Sequence, residues 1–345
     1  MKGLFGLAES ELKDWVVAKG EKPFRATQIL EWIYQKKVAN WEEMSNLSKS
    51  FRAELANTFQ LHALKLVKTV DSADGETVKF LWELLDGKRV ESVLIYAPGR
   101  RTVCVSSQVG CPARCAFCAS GKNGFVRNLS PEEIVEQVVH IDHFLQKKGE
   151  RVCHIVFMGM GEPFENYETV VKSIHLLNAP KGLNISQRRM TVSTVGIVEK
   201  ILRFSEEGLQ VNLALSLHAP NQRILQKIIP YARKYAIEDL LTAMLKFAQK
   251  TKRDITYEYT LLRGINDGRE HAKELARLLK DHPCTVNLIP YNPIEGMNLD
   301  RPEKEEIEVF RDVLTNAKIP NTCRYTKGKD IAAACGQLVL QTNSI

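Results

Sequence analysis

The stretch Gly110-Cys111-Pro112-Ala113-Arg114-Cys115-Ala116-Phe117-Cys118 decides how the rest of this chain is read. Its three cysteines follow the pattern C-x3-C-x2-C, with an aromatic residue just before the last. Three thiolates hold three irons of a 4Fe–4S cube, and no fourth cysteine lies close by to hold the remaining one. An iron without a protein ligand can bind one from outside. The competing reading is zinc. Zinc sites favour C-x2-C pairs completed by a second pair or by histidines. Neither follows at that spacing, and no histidine lies between Cys104 and Asn128.

Outward from this loop, strand and helix patterns alternate. The chain predicts strands at Val103–Ser107, Val152–Met158, Met190–Thr194, Val211–Ser216, Ile255–Thr260 and Thr285–Ile289. Helices are expected between them, near Val170–Leu177, Val198–Phe204 and Leu240–Phe247. Ser130-Pro131-Glu132-Glu133 is a capping box with proline at the first helical position, and Ile134, Val138, Ile141 and Leu145 share one face of its helix. Asp267-Gly268-Arg269-Glu270 opens another, with Ala272, Leu275, Ala276 and Leu279 inward. The expected fold is α/β, a partial parallel (β/α)6 barrel.

The unusual polar and glycine clusters all fall at strand carboxyl ends. They are the cysteine loop, Gly159-Met160-Gly161-Glu162-Pro163, Ser193-Thr194, Ser216-Leu217-His218-Ala219-Pro220 and Pro290-Tyr291-Asn292-Pro293. That is the end on which β/α barrels build active sites.

The flanks differ in character. Residues 1–60 predict a helical accessory domain, with apolar faces at Leu12, Trp15 and Val16, at Ile29, Leu30 and Ile33, and at Phe51, Leu55 and Phe59. Lys19, Lys22, Arg25, Lys36, Lys37, Lys49 and Arg52 are interleaved, which suits either a solvated surface or RNA contact. Residues 61–101 predict a β-rich extension, with Asp74-Gly75 and Asp86-Gly87 as turns around Thr77–Trp82 and Arg89–Ile95. Residues 102–345 then carry the barrel and a C-terminal segment.

Hydrophobic content of 44% and charged content of 26% are those of an ordinary soluble protein. Eight cysteines in 345 residues make no secreted disulfide scaffold and suit a reducing compartment. The start lacks the apolar run of a signal peptide, and no stretch approaches membrane-spanning length. A cytoplasmic location with no membrane partner is therefore expected. The net charge of +7 is compatible with a polyanionic partner.

The cysteine loop resembles that of the radical S-adenosylmethionine (SAM) enzymes. Further strings narrow the resemblance: Cys104–Cys111, Gly124–Leu129, Gly159–Pro163, Ser216–His218, Asn287–Pro293 and Asp330-Ile331-Ala332-Ala333-Ala334-Cys335-Gly336-Gln337-Leu338. Together they resemble the bacterial radical SAM adenine methyltransferases RlmN and Cfr, from about Leu4 to Leu338. RlmN is the closer, because Gln108-Val109-Gly110 precedes the first cluster cysteine where Cfr carries an extra cysteine, and Pro163 stands where Cfr can carry alanine. One departure is Ala232, where the family often has asparagine.

The resemblance implies methylation of carbon 2 of an adenine in 23S rRNA and of the adenine next to the anticodon in some tRNAs. It implies a 4Fe–4S cluster on Cys111, Cys115 and Cys118, and two SAM molecules per turnover. Gly161, Glu162, Ser193, Ser216, Leu217, His218 and Asn292 match the family's SAM contacts, with Glu162 able to pair with the SAM ammonium. Cys335 matches the methyl-carrying cysteine, Cys104 its disulfide partner and Glu91 the base. An electron donor such as flavodoxin or ferredoxin is implied, acting on a monomer. Arg127, Arg188, Arg189, Arg324, Lys327 and Lys329 are expected at RNA phosphates, and Cys153, Cys284 and Cys323 in structural positions. The alternatives are carbon 8 methylation of the Cfr type, a radical SAM activase that makes a glycyl radical, or a non-catalytic iron–sulfur RNA-binding factor.

Overall fold

The ten-stranded sheet at the centre of the molecule has a spatial order identical to its order in the chain. The computed structural model describes residues 1–122, 124–324 and 327–338. Strands β1 (Leu64–Asp71), β2 (Thr77–Leu84), β3 (Arg89–Ala97) and β4 (Arg100–Cys104) form an antiparallel meander. From β4 onward the sheet is parallel: β5 (His154–Phe157), β6 (Met190–Thr194), β7 (Asn212–Ser216), β8 (Ile255–Leu261), β9 (Cys284–Pro290) and β10 (Asn321–Cys323). Parallel neighbours need a crossover, and a helix supplies each one.

Two expectations about the barrel strands change here, and the β-rich extension is joined to the barrel. The residue 61–101 segment does not stand apart, because β4 pairs with β3 on one edge and β5 on the other, which makes extension and barrel one sheet. A seventh parallel strand, β10, follows the sixth crossover helix; its three residues, Asn-Thr-Cys, are too few and too polar to signal a strand. The first barrel strand also stops at Cys104 rather than Ser107. The backbone there leaves the ladder, with Ser106 N donating to the Gln137 side chain (2.9 Å) and Ser107 N to Met160 O (2.8 Å).

Three helices precede the sheet: α1 (Glu9–Ala18), α2 (Phe24–Leu30) and α3 (Lys49–Thr58). The first crossover helix, α4 (Pro131–Gln146), starts as the sequence predicts. Glu133 N donates to Ser130 Oγ (3.4 Å) and Ser130 N to Glu133 Oε2 (2.8 Å). Its apolar face, Ile134, Val138, Ile141 and Leu145, is fully buried. Its polar face is buried too, because the N-terminal helices lie across it. Lys37 donates to Asp142 at 2.7 Å, with both side chains nearly inaccessible. Glu136 accepts from His62 Nδ1 (2.6 Å) and from Ala63 N (2.6 Å). Lys37 is thus an internal ion pair and not an RNA contact. Lys19 likewise pairs with Glu54 and Arg25 with Glu21.

The remaining crossovers are α5 (Tyr167–Asn178), α6 (Val198–Glu206), α7 (Ile237–Thr251), α8 (Arg269–Leu278) and α9 (Lys304–Asn316). They shield the outer face of the sheet with fully buried Ile174, Phe204, Phe247, Leu275 and Phe310. Each such side chain contributes about 1.5–3 kcal/mol. Among the described residues, no helix is long and apolar enough to cross a membrane.

Candidate active site

The cysteine loop opens from a short hairpin, Gln108–Gly110 paired with Phe125–Asn128. Gly110 has φ 74°, and a side chain there would lie 1.9 Å from Gly124 O, so glycine alone fits. Cys111 N donates back to Gly124 O (2.9 Å), Ala116 N to Ile228 O (2.8 Å) and Ala119 N to Gly336 O (2.8 Å). These bonds pin the loop on three sides.

Burial pushes the Cys111 thiol up to about 12 and the Cys115 and Cys118 thiols upward too. The neighbouring cysteines add to the effect at Cys115 and Cys111. Sulfurs that repel one another's charge stand close together and need a cationic centre to ionise. Three thiols with no fourth cysteine and no histidine in the loop fit three irons of a polynuclear cluster better than a tetrahedral zinc site, which would need a fourth ligand.

The expected SAM residues stand at successive strand ends beside this loop. Gly161 (φ 108°) and Gly159 both lie where a Cβ would strike backbone or the Gln108 side chain, at 2.7 and 2.6 Å. Glu162 is buried, with Oε2 accepting from Val195 N (2.9 Å) and Oε1 from Phe164 N (3.0 Å). Burial raises its carboxyl to about 7 against those bonds. It ties the β5 exit to the β6 exit. Ser193 and Ser216 meet at 3.3 Å. Leu217 is fully buried. His218 has φ 50° and accepts from Thr260 N through Nδ1 (2.8 Å), which puts its proton on Nε2. Phe117 of the cysteine loop packs edge-on against it at 4.6 Å, and burial lowers its imidazole to about 3. Asn292 donates to Cys335 O (3.2 Å).

Residues 327–338 form a strap across this end of the barrel. Asp330 accepts from Ala73 N (2.7 Å), and Lys79 Nζ donates to Ala332 O (3.3 Å). At the far end Ser120 donates to Leu338 O (2.7 Å) and Gln337 to Pro293 O (3.0 Å). The strap carries Cys335, which is exposed, while enough protein surrounds it that burial pushes its thiol up to about 12; Glu258 and Cys118 add to this and Arg324 opposes it. Cys104 is buried, and its thiol is raised to about 12 by burial first and by Cys335 next. Glu91, on β3, is 4% exposed and ion-paired to Lys79 at 3.1 Å. Lys79 therefore joins Glu91 to the strap.

Some expectations about basic residues change. Arg127 binds Glu133 through both guanidinium ends (2.8 Å each) and Asp86 (2.8 Å), which neutralises its charge. Lys327 pairs with Glu76 (3.1 Å). Among the described residues, Arg188, Arg189, Arg324 and Lys329 form no ion pair and stay exposed. The sequence reading missed Lys79, Gln108, Asn166 and Glu258. Asn166 donates to Ser107 O (2.9 Å) and Leu129 O (2.8 Å), fastening the hairpin. None of the four carries a signal readable in the sequence alone; Glu258 alternates with tyrosines as a solvent-facing acid would.

Residues 2–61 match the ribosomal RNA large subunit methyltransferase N-terminal domain, and residues 105–279 match the radical SAM superfamily. A "Probable dual-specificity RNA methyltransferase RlmN 2" of Protochlamydia amoebophila is 64% identical over 331 residues, covering 96% of this chain and 92% of that protein. A "Probable dual-specificity RNA methyltransferase RlmN" of Thermotoga neapolitana is 48% identical over 342 residues, covering 99% and 98%. The crystal structure of a radical SAM methyltransferase from Sphaerobacter thermophilus matches with a TM-score of 0.96 at 43% identity, covering 98% of this chain and 99% of that one.

Proposed function

The chain belongs to the RlmN family of radical SAM RNA methyltransferases, and from that premise we propose that it methylates carbon 2 of an adenine in 23S rRNA and of the adenine next to the anticodon in some tRNAs. The observation that carries this reading is the placement of Cys335. One strapped loop holds its sulfur within electrostatic reach of both Cys104 and the cluster residue Cys118. A radical SAM protein without a sulfur carrier has no use for that arrangement.

Carbon 2 lies between two ring nitrogens and is no nucleophile, so direct methyl transfer to it fails. When bound, a 4Fe–4S cluster on Cys111, Cys115 and Cys118 supplies the electron that splits SAM and starts radical chemistry. Cys335 carries a methyl taken from a first SAM, and a second SAM serves the radical step. In that radical step the methyl loses one hydrogen atom, and the resulting methylene joins Cys335 to carbon 2, the adduct giving up its odd electron to the cluster that the three cysteines would hold. Glu91 takes the carbon 2 proton, which dissolves its ion pair with Lys79. Cys104 then attacks the Cys335 sulfur, closing a disulfide and freeing the RNA. Gly161, Glu162, Ser193, Ser216, Leu217, His218 and Asn292 form the SAM side of the mouth. A flavodoxin- or ferredoxin-type donor supplies electrons to a cytoplasmic monomer.

The test is mass spectrometry of nucleosides from RNA treated with reduced, cluster-loaded enzyme and SAM. 2-Methyladenosine is expected. 8-Methyladenosine would move the reaction to the neighbouring carbon, and unmodified RNA from an enzyme that still cleaves SAM would overturn the proposal.

A further inference from the structure

A row of polar side chains crosses the inner face of the sheet. Ser216, Glu258, Asn287 and Thr322 are register partners on β7, β8, β9 and β10. Thr322 Oγ1 donates to Asn287 Oδ1, and Asn287 Nδ2 donates to Glu258 Oε1 (3.1 Å). Ser193 extends the row through Ser216. The flanking residues fix the direction. Tyr257 reaches His282 (2.8 Å) and Tyr259 packs on Phe310 of α9 (5.2 Å), both on the helix side. By strand alternation Glu258 faces the lumen. It is 4% exposed, and its Oε2 is buried without a hydrogen-bond partner.

A buried polar atom left unpaired calls for a partner. Burial holds the Glu258 carboxyl above its ordinary value, against the Asn287 bond and the charge of Arg324. A neutral carboxyl offers one O–H donor and a carbonyl acceptor. The Watson–Crick edge of adenine offers the complement, an acceptor at N1 and a donor at the exocyclic amine. N1 is bonded to carbon 2, the atom that must meet the Cys335 sulfur, and Glu258 acts electrostatically on that sulfur. The two serines expected to touch SAM lie at the other end of the row.

We propose that Glu258 reads the target base, hydrogen-bonding N1 through Oε2 and the exocyclic amine through Oε1. This rests on the adenine carbon 2 reading above. A base splayed from its stack is recognised through its Watson–Crick edge, and a site built to bond a polar group rejects analogues lacking it.

The experiment uses cluster-loaded, reduced enzyme with SAM and RNA stem-loops. The target position carries adenine, purine (no exocyclic amine) or 1-deazaadenine (no N1). Wild type loses about tenfold or more in kcat/KM on each analogue. Glu258→Ala is slow on adenine and treats the three bases alike. Glu258→Gln presents an amide donor and acceptor in the same places. It keeps the discrimination but lacks the alkaline rise in KM that wild type shows as Glu258 ionises. Arg324 and Cys335, the charged and titratable groups acting on Glu258, stay unchanged throughout. Discrimination retained in Glu258→Ala, or equal losses on all three bases, would overturn the assignment. So would loss of discrimination in a Glu258→Gln enzyme that still binds SAM. Wild type that makes no 2-methyladenosine overturns the carbon 2 reading instead, so the two failures are distinct.

Discussion

Cys104 is held on a strand next to Val93 and Val156, with no freedom to travel. Cys335 rides on a strap fastened at both ends. If the sulfur of Cys335 ends a reaction bonded to RNA, the fixed thiol of Cys104 is what releases it, because a thioether has no easy hydrolytic exit. Cys104→Ala should still accept methyl on Cys335 and still attack RNA, then stall as a covalent adduct. Denaturing gels and peptide mapping to Cys335 check this; normal turnover would defeat the two-cysteine scheme. Lys79 has a different role. Replacing it with Met strips the ammonium from buried Glu91 and from Ala332 O. Loss of a buried partner costs about 3 kcal/mol, readable by chemical denaturation, and turnover should fall while SAM still methylates Cys335. Cys111, Cys115 and Cys118 stood out in the sequence by their C-x3-C-x2-C spacing, and Cys104 and Cys335 only by the strings that resemble the family. Lys79 and Glu258 were not, since a charged residue alternating with valine or tyrosine reads as a solvent face. Only stacking of the whole sheet against helices and strap buries them.

At the level of elements, α4 is the member that the others lean on. Its capping box was readable residue by residue, and Ser130→Ala should lower stability by about 1 kcal/mol. The burial of its polar face was not readable, because periodicity shows one apolar stripe and cannot say what lies on the other side. His62 shows what does. Its Nε2 reaches Val38 O (3.0 Å), so Nδ1 can donate to Glu136 only as an imidazolium. Burial opposes that charge, but the Glu136 bond and charge outweigh it and raise the imidazole. Burial likewise opposes ionised Glu136, and the bonds from His140 and His62 outweigh it and lower the carboxyl. The His62 contribution is full below the ordinary imidazole range and is lost as pH rises through the raised value. The Glu136 contribution is lost only as pH falls through the lowered one. The melting temperature should therefore drop as pH rises above about 6.5, the ordinary imidazole value, and His62→Gln should flatten that drop. Parallel curves for the two proteins would show that the contact between α4 and the N-terminal helices does not titrate.

At the level of the molecule, the N-terminal helices and the barrel share one buried junction, so removing residues 1–60 would uncover Asp142 and Glu136. A cleaner probe of RNA contact is the exposed pair Lys22 and Lys49, neither of which forms an ion pair among the described residues. Changing both to Gln should weaken RNA binding and lower the slope of log affinity against log salt by about 0.7 per lost phosphate contact. An unchanged slope in filter binding would assign those lysines to the solvated surface. The alternation of strands and helices in the barrel was legible, as was the fall of the polar and glycine clusters at strand carboxyl ends. The continuity of extension and barrel was not, since a chain shows which segments are strands but not that β4 is shared.

The strap makes assembly of the site depend on the order of synthesis. Every strand of the sheet docks beside the one made just before it, so the scaffold can grow as the chain emerges. The bond from Ala73 to Asp330 spans 257 positions, and that from Lys79 to Ala332 spans 253. Until residues 327–338 have been made, a nascent chain has Cys104 and the cysteine loop but nothing strapped over them. Cys335 therefore reaches its place near Cys104 only after the whole sheet that carries Cys104 has been synthesised.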